Sequence, residues 1–444
     1  MIEQFGYKQE LKRALSFWDL LVYGLIFMVP IAPFGVYGYV AEASKGMVAL
    51  AYLIGMAGMI FTALSYARMS EAFPVAGSVY AYAQRGIHET VGFISGWAIL
   101  LDYILIPSLC YVVSANALTS LIPAIPAWVW IVLFLAVNTV INVRGVEFTA
   151  RANKITLIVL FAVLVLFLIA GVTALLGENG SGFTVKPIYD AEHFDLNLVM
   201  SAVSIAVLSF LGFDAISTLS EEVKGGSKAV GRASVAALFT VGFLFIAQTW
   251  VASDLGRGMQ VASLDTAFYE IAGAAGGAWL KTVSILATVL SWGISAALVA
   301  QAAISRILFS MGRDRKIPAV LAKVHPRFQT PYVSTMLVAV VSLIVSLGFQ
   351  NHMPLLTNLV NFGALTGFVV LHLSVIIHFT IRQKSRQVVA HLLCPLIGMG
   401  VIAYVMASME PLAIKAGIVW LALGAVYLFI RSRVFKDKST TMEW

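Results

Sequence analysis

The sequence predicts an all-α integral membrane protein of twelve transmembrane helices, built as a five-plus-five inverted repeat in which helices 1 and 6 are interrupted. Three observations predict it. Of the 444 residues, 60% are hydrophobic and only 11% charged, where a soluble chain carries about 25% charged residues. With a mean hydropathy of +0.91 there is too little polar surface to face water, so the bilayer is the main solvent. Apolar runs of roughly 18–30 residues, bounded by charge, Pro or Gly, recur along the whole chain. Finally, Pro and Gly cluster inside the first run, and Ser, Gly and Asp interrupt the sixth at a comparable depth. This composition excludes soluble enzymes, disordered scaffolds and nucleic-acid binders.

The runs place helices 1 to 5 at 17–43, 46–72, 89–121, 127–143 and 149–176, and helices 6 to 10 at 196–222, 229–253, 276–310, 332–350 and 355–380. Helices 11 and 12 follow at 389–408 and 413–431. The expected organisation is a tail at 1–16, an inverted-repeat core at 17–380, helices 11 and 12 within 381–431, and a tail at 432–444. With the amino terminus inside, every Lys and Arg except Lys45, Lys186, Arg257, Lys281 and Lys415 falls on cytoplasmic segments or helix ends. That bias predicts a multi-pass plasma-membrane protein with both termini cytoplasmic. It also accounts for the pI near 9.3, since the cations are anchors beside anionic lipid rather than a nucleic-acid patch. The loop at 177–195 reverses the bias, with Glu178, Asp190, Glu192 and Asp195 against Lys186, and is expected to be the largest outer loop. A mixed-charge start before a long apolar run predicts no cleaved signal. Cys110 and Cys394 each lie in an apolar stretch and cannot build a disulfide framework or a metal cage. No metal or cofactor is expected, and without a P-loop motif ATP is not the direct energy source.

Helix 1 reads FWDLLVYGLIFMVPIAPFGVYGYVAEA. Pro30 and Pro33 each remove a backbone donor, so the helix is expected to unwind through Val29, Pro30, Ile31 and Ala32 to Pro33. Helix 6 reads LVMSAVSIAVLSFLGFDAISTLSEE, and its break is expected at Ser209, Phe210, Leu211 and Gly212. Unpaired backbone at bilayer depth is tolerated only where it lines a protein-enclosed cavity. Interruptions at matching positions of two halves mark the central site of an inverted-repeat transporter; the plainer reading is a pair of ordinary kinks.

Several stretches resemble the amino acid–polyamine–organocation superfamily of secondary transporters. The clearest is SRILFSMGRDRKIPAVLAKVHPRFQTP at 305–331, similar to the family's link from helix 8 to helix 9. FPVAGSVYAYAQRG at 73–86, NVRGVEFTARAN at 142–153, SFLGFDAISTLSEE at 209–222 and NFGALTGFVVLHLSVI at 361–376 extend the likeness over nearly the whole chain. The wording of helices 6 and 10 is most similar to the putrescine-importer branch. The resemblance implies the five-plus-five fold, alternating access and an amino acid or organic amine, including polyamines, as substrate. It also brings departures. Many amino acid members hold the substrate carboxylate on free N–H groups of a Gly-Ser-Gly-like break, where this chain has Met28, Val29 and Pro30. Some proton-coupled members carry a helix 5 lysine where this chain has Leu160, and the putrescine-like branch has an aspartate where this chain has Gly35.

The candidate substrate contacts are the two breaks together with Tyr103 in helix 3 and Ser291 and Trp292 in helix 8. Among the aromatic residues that could cage a cation or form a lid (Tyr23, Phe27, Phe34, Tyr103, Phe210, Phe213 and Trp292), Phe210 is the first choice because it lies inside the break. Asp102 in helix 3 and Asp214 after the helix 6 break are candidates for coupling or gating, because an ionisable group at bilayer depth needs a partner, a proton or a watery path; the alternatives are a hydrogen-bonded packing role for Asp102 and a contact with a substrate ammonium for Asp214. Glu221 and Glu222 beside Lys224 and Lys228 suggest a paired inner gate or solvated charges rather than substrate contacts. His372 and His378 lack other ligands at metal spacing and read as packing residues. Protons are expected as coupling partners, unless the mode is exchange. A transporter-like nutrient sensor and a polytopic membrane enzyme are the competing classes; the latter would need a reactive cluster at one face, and the seven histidines are scattered.

Overall fold

The computed structural model describes residues 15–73, 78–145, 150–178, 180–220, 223–224, 228–313, 317–328 and 330–434. Among these, eleven helices are long and apolar enough to cross a bilayer, and the pair Phe17–Met28 and Pro33–Ala43, bent by 55°, supplies a twelfth span. Helices 2 to 5 are Val48–Ala72, Glu89–Leu121, Ala127–Arg144 and Ala150–Leu176. Helix 6 starts at Leu196, helix 7 is Lys228–Leu255, helix 8 runs from Ala278 to Arg313, and helix 9 is Tyr332–Phe349. Helices 10 to 12 run Met353–Arg382, Val389–Ala407 and Pro411–Val434.

The repeat is visible in the packing. Helix 2 lies against helix 7, helix 3 against helix 8, and helix 4 against helix 9, each the counterpart of the other in its half. Small residues bring the central pair close: a Cβ on Gly231 of helix 7 would stand 2.5 Å from the Ala67 Cβ of helix 2. Helices 11 and 12 pack on helices 2, 3 and 10. Leu412, Ile418, Leu423, Val426 and Phe429 of helix 12 are exposed, the pattern of a surface solvated by lipid.

Three elements have no counterpart in the sequence-based assignment. Ser78–Gly86 is a short helix packed on helix 3, Ala267–Gly276 is a helix between helices 7 and 8, and Ala319–Ala322 is a 3-10 turn. Each is shorter than a span, so a search for long apolar runs passes over it. Helix 8 was expected to be continuous, but its middle, Val289–Ala296, is wound as a π-helix.

Both interruptions are present. Helix 1 stops at Met28, Val29 takes φ 51° and ψ 100°, and the second segment starts at Pro33. Helix 6 departs from expectation in extent. Its α-helix ends at Ala206, before Ser209, and continues as a 3-10 turn over Val207–Phe210. The chain is then extended at Leu211, Gly212 takes φ 120°, and Asp214–Leu219 is again 3-10 rather than α.

Candidate functional site: the cavity between the two breaks

The two interruptions face one cavity. Its walls include Met28, Val29 and Ala32 from helix 1, Leu208, Ser209 and Leu211 from helix 6, Ile106, Leu109 and Cys110 from helix 3, and Trp292 and Ala296 from helix 8. Its volume is about 40 Å³, room for about one water. Gly212 sets the closeness of the two breaks: a Cβ there would stand 2.2 Å from Cδ1 of Phe27, another wall residue.

Packed groups lie toward both faces of the bundle. On the face away from the termini, Phe34 of helix 1 stacks on Phe268 at 3.8 Å, Phe167 of helix 5 lies 4.6 Å from the same ring, and Tyr37 meets it edge-on at 5.7 Å. Above this layer opens a vestibule of about 330 Å³ that carries Glu42, Lys45, Lys186, Asp190, Asp254 and Arg257. There, outside the helices, the His193 ring and Lys186 hold the Asp190 carboxyl below its ordinary range. On the terminal face, Leu15 pairs with Val223 in an isolated bridge, and the Lys224 N–H donates to the Leu15 carbonyl at 2.8 Å. Ser16 and Asp19 form a reciprocal cap on helix 1, and Lys154 of helix 5 reaches Asp19 at 4.0 Å.

Irregular backbone at three places is braced by amide side chains from neighbouring helices. Gln248 of helix 7 donates to the Pro30 carbonyl at 3.0 Å, Asn361 of helix 10 donates to the Ser204 carbonyl at 2.7 Å, and Asn138 of helix 4 donates to the Gly293 carbonyl at 2.8 Å. These carbonyls lie at the helix 1 break, at the end of the helix 6 α-segment and in the π-wound turn of helix 8, where the regular ladder is disrupted.

Of the expected substrate contacts, Val29, Ala32, Ser209, Leu211 and Trp292 line the cavity. Pro30, Ile31, Phe210, Gly212, Tyr103 and Ser291 are not among its walls. Phe210, the first choice from the sequence, is one of these. Its ring packs between Tyr52 of helix 2 at 6.0 Å and Phe245 of helix 7 at 5.2 Å, over the space that Gly55 leaves free. The 3-10 turn aims it into the bundle instead of the cavity. Ser291 donates to the Thr288 carbonyl within its own helix, and Ser209 shares a hydrogen bond of 3.0 Å with the Tyr52 hydroxyl.

Asp214 accepts from the Gly212 N–H at 3.2 Å and from the Tyr103 hydroxyl at 3.4 Å. It therefore holds its own break and ties helix 6 to helix 3. Asp102 is 5% exposed, and its Oδ1 has no hydrogen-bond partner among the described residues. Glu221 and Glu222 lie outside the described residues. His372 sits between Thr62 and Ser65 of helix 2, with contacts of 3.2 and 2.9 Å. Sequence reasoning missed the helix 3 wall. Ile106, Leu109 and Cys110 lie four to eight positions beyond Asp102, the helical spacing that would have indicated a shared face.

A family model described as "Amino acid permease" matches residues 28–431. The chain belongs to the amino acid permease family. It is 31% identical to the low-affinity putrescine importer PlaP of Escherichia coli (strain K12), over 96% of this chain and 95% of that protein. It is 28% identical to the methylthioribose transporter of Bacillus subtilis (strain 168) and 26% identical to that organism's branched-chain amino acid permease BcaP, each over 96% of this chain and 94% of the relative. This permease is a polytopic transporter rather than a membrane enzyme.

Proposed function

We propose that this permease is a secondary transporter that carries an amino acid or related organic amine across the plasma membrane by alternating access. In this reading the face bearing both termini is cytoplasmic, which the Lys and Arg distribution supports. Residues 17–380 form the transport core, with helices 11 and 12 packed outside it. The observation that carries the proposal is the cavity lined by both interrupted helices, the place of the central site in an inverted-repeat transporter. Relatives named for a putrescine, a methylthioribose and a branched-chain amino acid support a small organic substrate.

Coupling to protons, or exchange, supplies the driving force. Asp102 is the proposed proton carrier: it is buried in helix 3, one turn from the cavity wall at Ile106, with one carboxylate oxygen unpartnered among the described residues. Asp214 acts as a gate residue through its link to Tyr103, and Glu221 and Glu222 are assigned to the inner gate from sequence alone. Uptake of a labelled amino acid and diamine panel into proteoliposomes, with and without an imposed pH gradient, tests the proposal. A transported compound whose uptake rises with an inward proton gradient is expected, and Asp102→Asn should keep exchange while losing that response. Binding without uptake would instead favour a nutrient sensor.

A further inference from the structure

We infer that the terminal face carries a proton-sensing site, in which His378 of helix 10 and His391 of helix 11 take up protons at acid cytoplasmic pH, push the end of helix 2 away and slow transport. The transporter reading above supplies the cytoplasmic side of this face; the site does not depend on what is carried.

Helix 2 meets helices 10 and 11 in two different ways. In the middle of the bundle the fit is close: His372 is fully buried against Thr62 and Ser65, and a Cβ on Gly398 of helix 11 would stand 2.5 Å from its ring. Toward the terminal face the same helices part around a pocket of about 440 Å³. Its walls include Arg68, Glu71 and Phe73 from helix 2, His378 and Phe379 from helix 10, and His391 from helix 11. An imidazole that meets water there gains charge in the acid range, at about pH 6 and below.

Both histidines sit in π-wound backbone, Ile376–Arg382 at the end of helix 10 and Val389–Leu393 at the start of helix 11. Such winding recurs at functional sites. The loop between them touches both rings: the Gln383 amide nitrogen lies 3.0 Å from Nε2 of His378, and the Ser385 hydroxyl 2.8 Å from Nδ1 of His391. His378 stands 4.8 Å from the Phe73 ring of helix 2, and His391 lies flat on Phe379 at 4.2 Å. A change of charge on these rings therefore reaches all three helices.

The surrounding charge is unbalanced. Arg382 and His391 act on His378, and Arg68 of helix 2 acts on His391. Around them stand Arg85 of the short helix, whose carbonyl accepts from Arg382 at 3.2 Å, and Lys384 and Arg386, exposed in the loop. Glu71 is the one acid among the described walls, and it already faces Arg68 at 3.8 Å. Two added protons set imidazolium rings on helices 10 and 11 against Arg68 on helix 2. Helix 2 carries that push toward the helix 6 break. Tyr66, two residues before Arg68, packs edge-on against Phe213 at 5.8 Å, and Tyr52 shares its hydrogen bond with Ser209.

The test needs two readouts. In purified protein lacking both native cysteines (Cys110→Ala, Cys394→Ala), spin labels on Ala72→Cys and Val389→Cys report the width of the pocket. That distance is expected to lengthen between about pH 7.5 and about pH 5.5, across the imidazole range, and to stay constant when His378→Gln and His391→Gln are combined. In proteoliposomes with equal pH on both sides, exchange of a carried member of the labelled amino acid and diamine panel should fall about fivefold over the same interval. That is ~1 kcal/mol, the order of one like-charge contact beside water. The double variant should match wild type at the higher pH and lose this response; Asp102 is unchanged in it, so any response due to Asp102 remains in both proteins. Arg68→Gln removes the cation that the imidazolium rings face and should blunt both readouts, which decides the matter if the double variant does not fold. A constant distance in wild type, or an acid response equal with and without these side chains, would overturn the inference and leave the transporter standing. A folded protein that carries no member of the panel overturns the transporter reading, and the spin-label distance still decides this one.

Discussion

The two breaks solve the same problem in opposite ways. In helix 1 the interruption is abrupt: two prolines remove donors, the halves meet at 55°, and the buried Pro30 carbonyl is held by Gln248 of helix 7. In helix 6 the chain tightens into 3-10 turns, passes through Gly212 at φ 120°, and is held from within by Asp214, two residues on. Gln248 ties the helix 1 break to helix 7, while the helix 6 break is held by its own Asp214 and tied to helices 3 and 10 through Tyr103 and Asn361.

Gly212→Ala should be the most damaging way to break this comparison. The substitution meets both a φ of 120° and the Phe27 ring at 2.2 Å, and the backbone strain alone is of order 1–3 kcal/mol. No active protein is expected, and detergent-phase thermal unfolding should show a large loss; a variant with wild-type stability would remove the helix 6 half of the account. Phe210→Ala follows, with about 3–5 kcal/mol of stability lost as a core ring is deleted. Because the ring faces Tyr52 and Phe245 and not the cavity, the KM of the surviving protein should stay near wild type. A selective rise in KM would return Phe210 to the cavity.

Gln248→Leu leaves the Pro30 carbonyl without its brace and should cost about 1–3 kcal/mol. If helix 1 is held from helix 7, transport should fall further than stability does; equal losses would reduce Gln248 to a packing residue. Cys394→Ala, on a half-buried site in helix 11 away from both breaks, should change transport and stability by no more than about 0.5 kcal/mol equivalent.

The twelve spans and both breaks were legible because their signals are local: long apolar runs, and proline or glycine where a helix cannot continue. The side on which each break presents its residues was not, because it depends on how many residues unwind. Helix 6 leaves α-geometry at Val207 rather than Ser209, and the shift turns Phe210 toward helices 2 and 7. The π-winding of helix 8 has no proline or internal glycine cluster to announce it. Its brace, though, was in plain view, since Asn138, Gln248 and Asn361 are amides in apolar helices and each ends on a carbonyl of irregular backbone. Reading isolated Asn and Gln as partners of distant breaks would have located the irregular segment of helix 8.

The central claim is that substrate occupies the cavity between the breaks, and Cys110 gives a native reporter inside it, 2% exposed on the helix 3 wall. In a Cys394→Ala background, the rate of Cys110 alkylation by a small membrane-permeant thiol reagent should be measured with and without a compound shown to be transported. The account predicts slow labelling that the transported compound suppresses in a saturable way, with half-protection near its KM. Labelling that proceeds at the same rate at saturating substrate would contradict it and place the transport site elsewhere.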